Sequence, residues 1–147
     1  ENDAASIFAI VLGLSVFLSL GVGAWSDRFA RPMLPLTLTA SLAAFGLLIM
    51  AWAPDILWAI SGYVVFGLAS SIFLALHSSQ TLRVLPRPHT RGRDLGIFNL
   101  TNTVPSLIMP WLTMALVPTY GFEALFALLA GLAFTASMLL LTMSRRI

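Results

Sequence analysis

Five apolar runs, each long enough to cross a lipid bilayer as a helix, occupy almost the whole chain. They cover residues 4–25, 33–53, 56–82, 95–117 and 121–143. A bilayer offers no water to backbone N–H and C=O groups, so a span needs about 20 mostly apolar residues that bond these groups within a helix. Membrane strands would alternate polar and apolar residues, and these runs do not. The pattern predicts an all-α membrane bundle of five transmembrane helices, in one domain of residues 1–147.

The composition excludes a soluble globular protein. Hydrophobic residues make up 59% of the 147 residues and charged residues only 10%, whereas a soluble domain carries about 25% charged residues. The net charge is only +2, and no stripe of basic and aromatic residues predicts nucleic-acid binding. The sequence contains no cysteine, no phosphate loop and no set of side chains with catalytic or metal-ligand spacing. We therefore expect no enzymatic activity, no nucleic-acid partner, no cofactor and no metal.

The arginines indicate how the chain is oriented in the membrane. All eight basic residues are arginines, and they lie in the links after spans one and three or after span five. The opposite ends carry Asp55 and Glu123 and two tight links, residues 54–55 and 118–121. The positive-inside rule places the arginines in the cytoplasm, so we expect a multi-pass protein of the inner or plasma membrane with its N-terminus outside and its C-terminus inside. The odd number of spans and the start without Met indicate a chain that begins partway through a larger protein.

The first cytoplasmic link combines acidic and basic residues in a very short turn. It reads Gly23-Ala24-Trp25-Ser26-Asp27-Arg28-Phe29-Ala30-Arg31-Pro32. It resembles the Gly-x-x-x-Asp-Arg-x-Gly-Arg-(Arg/Lys) loop of the major facilitator superfamily, with Ala30 in place of a glycine. The resemblance implies that Asp27, Arg28 and Arg31 act as a cytoplasmic gate through charge-assisted bonds that favour one conformation of an alternating-access cycle. The simpler alternative is that the arginines only set topology and Asp27 only caps a helix.

The second cytoplasmic link extends this resemblance. Gly92-Arg93-Asp94-Leu95-Gly96 precedes an Asn-rich helix with prolines, as in bacterial sugar and glycoside permeases of the same superfamily. The resemblance implies that the spans are helices 8 to 12 of a 12-helix transporter. In the alternative they are helices 2 to 6, and residues 144–147 would run into a long central loop. Because the sequence stops there, we expect a true C-terminus instead. The resemblance also assigns Arg93 and Asp94 to the gate. The implied partners are the N-terminal half of the same protein, the lipid bilayer and a small-molecule substrate.

Polar side chains at membrane depth predict a substrate cavity. Asn99, Asn102 and Ser106 recur at near-helical spacing in span four and so share one stripe. A transporter must replace the water around its solute with protein groups, and uncharged amides and hydroxyls suit a neutral polyol. The alternative is that these groups join helices across a dry interface.

Two further side chains are candidates for the same cavity. His77 is the only titratable residue well inside a span, which makes it a functional candidate by default; alternatively it is a neutral histidine bonded to a serine in the cytoplasmic vestibule. Trp111 is a candidate to stack on a sugar face.

Two rows of small residues predict close helix packing; they are Ser15, Ser19 and Gly23 in span one, and Ala127, Gly131 and Thr135 in span five.

Together these features predict a secondary active transporter of a small organic solute, such as a sugar or glycoside, working by alternating access. An alternative within the superfamily is drug or metabolite efflux. An alternative of another class is a five-span membrane scaffold or assembly subunit that transports nothing, since five helices cannot form two pseudo-symmetric halves.

Overall fold

The computed structural model describes residues 2–28, 33–84 and 91–144, and every regular element in these ranges is helical. The elements are α1 (Asn2–Arg28), α2 (Met33–Ala51), α3 (Ile56–Val84) and α4 (Arg91–Ser144). Each of these helices is long and apolar enough to cross a membrane. The predicted all-α membrane bundle is therefore confirmed. The predicted last two spans lie within the single element α4.

The chain changes direction inside α4, at Gly121. This residue has φ 74° and ψ 175°, a conformation that essentially only glycine adopts. Phe98 contacts His77 of α3, and Leu140 packs on a cluster that contains Leu76, the preceding residue of α3. Phe98 and Leu140 would lie about 63 Å apart along a straight helix, so the two parts of α4 must fold back on each other.

We call residues 91–120 α4a and residues 122–144 α4b. The sequence predicted a non-helical link over residues 118–121, but the backbone is helical up to Tyr120 and departs from helical dihedrals at Gly121. Pro118 does not break the helix in this structure. A single glycine with positive φ provides the turn that a longer link was expected to make.

The helices α2 and α3 form an antiparallel pair with touching backbones. A methyl group added at Gly46 would lie 2.6 Å from the backbone nitrogen of Phe66 and 2.9 Å from the carbonyl oxygen of Gly62. One added at Gly62 would lie 2.8 Å from the carbonyl oxygen of Gly46. Small residues at a crossing allow this approach, which replaces the hydrophobic effect as a source of helix association in lipid.

Helix α1 packs on α3, and α4b packs on α2. Val11 of α1 contacts Gly67 of α3, where an added methyl group would come within 2.8 Å of Val11 Cγ1. Ser137 of α4b is 1% exposed, and its hydroxyl oxygen lies 2.6 Å from that of Ser41 in α2. The Ser137 hydroxyl also lies 3.3 Å from the carbonyl oxygen of Thr37. Interhelical hydroxyl contacts of this kind join helices where no water competes.

The arginine-bearing ends of the helices converge on one apolar cluster. Leu36, Ile72 and Leu76 form its buried centre. Four partly buried residues surround it: Val22, Met33, Phe73 and Leu140. The cluster therefore brings together the last part of α1, the start of α2 and the C-terminal parts of α3 and α4b.

The predicted small-residue rows fit the packing only in part. Ser15 is buried on the face of α1 that also carries Val11, whereas a methyl group added at Gly23 would meet no heavy atom within 4 Å. The row in span five does not face another described helix, because Gly131 and Thr135 are exposed. Within the described part of the chain, α4b packs through a neighbouring face that carries Ser137, and close packing through the row at Gly131 stays a prediction.

Candidate substrate cavity and cytoplasmic gate

His77 lies between two aromatic rings at the contact between α3 and α4a. Its ring centroid is 5.6 Å from that of Phe73, with an interplanar angle of 9°. It is 5.2 Å from the centroid of Phe98, with an angle of 32°. Spacing of four residues places Phe73 and His77 on one face of α3, and Phe98 meets this face from α4a. The predicted site residue His77 thus contacts Phe98, the residue that directly precedes the predicted site residue Asn99 in the sequence.

Phe73 and Phe98 were not among the site residues predicted from the sequence. The spacing of Phe73 and His77 was an available signal, because residues i and i+4 on a helix are neighbours. The partner Phe98 had no such signal, since it comes from a separate span. The chain contains 10 phenylalanines, and most of them show no feature that separates a ring at a helix contact from one that faces lipid.

The predicted polar stripe lies on an exposed part of α4a. Asn99, Asn102 and Ser106 are all exposed in the described structure. The Ser106 hydroxyl donates a hydrogen bond of 2.9 Å to the carbonyl oxygen of Asn102, one turn earlier in the helix. This bond uses the only donor of Ser106, so the side-chain amides of the two asparagines are the stronger candidates for direct contact with a solute.

Trp111 lies on a different face of α4a. It is 79% exposed, and along a regular helix it comes three turns and about 120° after Asn99. Pro105 and Pro110 lie between the two positions, and each removes one backbone donor from the helix. Stacking of Trp111 on a solute that also contacts the asparagines therefore stays a prediction, and it needs a bend in α4a.

The predicted gate is described only in part. Arg28 ends α1 and is exposed. The side chain of Asp27 and all of Arg31 lie outside the described residues. Arg93 Nε lies 3.5 Å from Asp94 Oδ1, with 75% of the arginine side chain and 27% of the aspartate side chain exposed.

Exposure limits what this last ion pair contributes to stability. Exposed ion pairs are worth about 0 to 1 kcal/mol, because water screens them and ordering two side chains costs entropy. Asp94 also lies in the first turn of α4, where a negative charge is favoured by the helix dipole. Among the described residues, no group of three or more His, Asp or Glu side chains has the arrangement to hold a metal ion.

Residues 1–146 match the sequence model of the Major Facilitator Superfamily. The chain is also 31% identical over 144 residues to the "Multidrug resistance protein MdtH" of Yersinia pestis (strain Pestoides F) and to that of Yersinia pseudotuberculosis serotype O:3 (strain YPIII). Each match covers 87% of this chain and 34% of the relative, so the chain spans about one third of the length of these relatives. No solved structure matches the chain.

Proposed function

Because the chain belongs to the major facilitator superfamily, we propose that it is part of a secondary transporter that moves a small organic solute across a membrane by alternating access. The family match over residues 1–146 is the observation that carries this proposal. Membership of a transporter family also agrees with the expectation that the chain is not an enzyme. The apolar helices agree with a multi-pass membrane protein.

In the proposed topology the chain crosses the membrane five times, with α4a and α4b as separate spans. The change of direction at Gly121 supports this count. The two segments would be about 45 Å and 35 Å long, and each exceeds the roughly 30 Å thickness of the hydrocarbon core. The two arginine-bearing links then lie in the cytoplasm. Their resemblance to superfamily loops supports numbering the spans as helices 8 to 12 of 12.

In the complete transporter, α4a faces the N-terminal half across the substrate cavity. The exposure of Asn99, Asn102 and Ser106 supports this arrangement, because polar groups at membrane depth need a polar partner that the described helices do not supply to the amides. His77 lies at the cytoplasmic end of the same region, next to the apolar cluster. Asp27, Arg28, Arg31, Arg93 and Asp94 then belong to the cytoplasmic gate.

For the substrate, export of drug-like organic molecules is the first candidate. It is supported by the two relatives named as multidrug resistance proteins. The second candidate is uptake of a sugar or glycoside, which the uncharged amides of Asn99 and Asn102 favour, since they suit a neutral polar solute.

A competition experiment separates the candidates. The full-length protein is expressed in bacteria that lack their main drug exporters, and retention of a fluorescent lipophilic cation is measured. Drug export predicts lower retention, restored by excess unlabelled lipophilic cation and not by sugars. Competition by sugars, with uptake of labelled sugar, would support the permease. If the protein inserts in the membrane and moves neither class, the non-transporting scaffold becomes the better account.

A further inference from the structure

The two segments of α4 are attached to the bundle by different contacts. The segment α4b is fixed to α2 by the partly buried contact between Ser41 and Ser137 and by Leu140 in the apolar cluster. The segment α4a meets α3 through the rings of Phe98 and His77. Most side chains of α4a beyond this point are exposed in the described structure. The position of α4a therefore depends on few contacts.

We propose that Phe98 is a positioning residue, whose ring packs at an angle against His77, fixes the rotation of α4a about its own axis and so sets where Asn99 and Asn102 point. The role of the two amides rests on the proposed transport function. The contact itself does not, because it is a property of helix packing.

The position of Phe98 in the helix couples its ring contact to the orientation of Asn99. Phe98 immediately precedes Asn99, so a rotation that moves the Phe98 ring off His77 moves the Asn99 amide by the same angle. On the other side of His77, the ring of Phe73 lies nearly parallel, at 9°, and limits how far the imidazole can turn. Offset stacks of aromatic rings at these distances are favourable beyond the area that they bury.

The remainder of α4a offers less resistance to rotation. Its far end is the turn at Gly121, where the backbone leaves helical dihedrals. Between these ends, Pro105 and Pro110 lie inside the helix and each removes a backbone hydrogen bond. A segment with a glycine turn at one end and prolines in its middle needs a contact near its other end to keep one orientation.

Cross-linking between introduced cysteines tests this proposal in the full-length transporter. The sequence has no cysteine of its own in this part, and any cysteine elsewhere in the protein is first replaced. One pair is placed at positions 74 and 101, a turn beyond His77 and Phe98 along α3 and α4a. We expect Phe98→Leu to slow disulfide formation in this pair roughly fivefold, as loss of an aromatic pair allows. Phe98→Tyr keeps the ring and should cross-link at the original rate.

A second pair at positions 41 and 137 serves as the matched control, since these side chains join α2 to α4b at 2.6 Å. Its rate should not change in Phe98→Leu. Two results would overturn the proposal: an unchanged rate at positions 74 and 101, or an equal slowing of both pairs, which would indicate a general loosening of the bundle. Failure of Phe98→Tyr to restore the rate would equally count against a role for the ring.

Transport measured on the same variants separates this proposal from the proposed function. If Phe98 positions the asparagines, Phe98→Leu should raise KM for the transported solute more than it lowers the maximal rate, and Phe98→Tyr should restore KM. If the cross-linking changes as expected while the wild-type protein transports nothing, the positioning role holds and the transport function fails. Normal transport with an unchanged 74–101 rate would reject the positioning role alone.

Discussion

Asp55 shows how a single side chain shapes the tight link between α2 and α3. Its Oδ1 accepts hydrogen bonds from the backbone N–H groups of Leu57 at 2.9 Å and Trp58 at 3.1 Å. These groups have no partner inside the helix, so the carboxylate caps the start of α3. The sequence predicted a tight link at this position, and the structure adds that Asp55 caps the helix that follows.

The loss of this cap gives a first prediction. Asp55→Ala should lower the free energy of unfolding by about 1 kcal/mol, because two backbone donors lose their acceptor. The measurement is denaturant unfolding of the detergent-solubilised full-length protein, followed by tryptophan fluorescence. Asp55→Asn keeps an oxygen acceptor and should lose much less. Equal unfolding midpoints for wild type and Asp55→Ala would contradict the capping role.

Gly121 makes the second prediction at the residue scale. An alanine there would be held at φ 74° and ψ 175°, which costs about 1 to 3 kcal/mol for a residue with a Cβ. No heavy atom lies within 4 Å of the added methyl group, so the whole effect should come from backbone strain. Gly121→Ala should therefore reduce stability, measured as thermal unfolding in detergent.

The matched control is Gly131→Ala, in the same element. Its added methyl group also meets no heavy atom within 4 Å, and its backbone is helical. It should leave stability unchanged or slightly raise it, because alanine favours helix. Similar losses for both variants would show that Gly121 is not needed for the turn.

Among single residues, the sequence singled out His77 but not the aromatic rings that surround it. A titratable group inside an apolar run is rare and costly, so it is conspicuous in the sequence. The rings that flank it come from α3 and α4a, and a contact between two separate spans leaves no periodic pattern in the sequence. The cavity roles predicted for His77, Asn99, Asn102, Ser106 and Trp111 stay predictions, as do the roles of the predicted gate residues.

At the scale of elements, the crossing of α2 and α3 holds the bundle together. Gly46→Ala should destabilise the protein by about 1 to 3 kcal/mol, as overpacking of a tight interface does. Its methyl group would collide with backbone atoms of Phe66 and Gly62, and backbone cannot move aside as a flexible side chain can. The measurement is thermal unfolding together with the yield of folded protein in detergent.

Gly13→Ala in α1 is the control for this substitution, because the added methyl group meets nothing within 4 Å. It should leave both the unfolding temperature and the yield unchanged. A Gly46→Ala protein as stable as Gly13→Ala would mean that the two helices do not approach as closely as the structure shows.

Element existence was predictable from the sequence, but packing faces were not. Apolar runs of sufficient length specify helices because a bilayer leaves the backbone few alternatives. Helices that are apolar all round carry no polar stripe to show which face meets a neighbour. The sequence therefore did not identify the face through which α4b packs among the described helices, which carries Ser137 and Leu140.

At the scale of the whole molecule, the arginines predict one orientation in the membrane. Single cysteines replacing the exposed Gly92 and Glu123 report the two sides. In intact cells a membrane-impermeant maleimide should label Glu123→Cys, and it should label Gly92→Cys only after permeabilisation, because the basic side stays in the cytoplasm. The reverse labelling pattern would contradict the topology and the placement of the gate.

The incomplete enclosure of α4a also belongs to this scale. In the proposed transporter its polar stripe faces a cavity between two halves, which agrees with the exposure of the stripe in a chain that spans about one third of the length of its relatives. The stripe was predictable from helical periodicity. The side chains that would face it across the proposed cavity could not be predicted from this sequence.

If this chain contributes Asn102 to a solute pathway, as we propose, transport by the reconstituted full-length protein requires that side chain. Wild type, Asn102→Leu and Thr101→Leu are placed in liposomes at equal amounts, and movement of a labelled lipophilic cation is followed under an imposed ion gradient. Thr101 is an exposed neighbour about 100° away around the helix. We expect Asn102→Leu to abolish transport of the labelled cation and Thr101→Leu to retain it. Transport by Asn102→Leu at the wild-type rate would show that the Asn102 side chain is not part of the solute pathway.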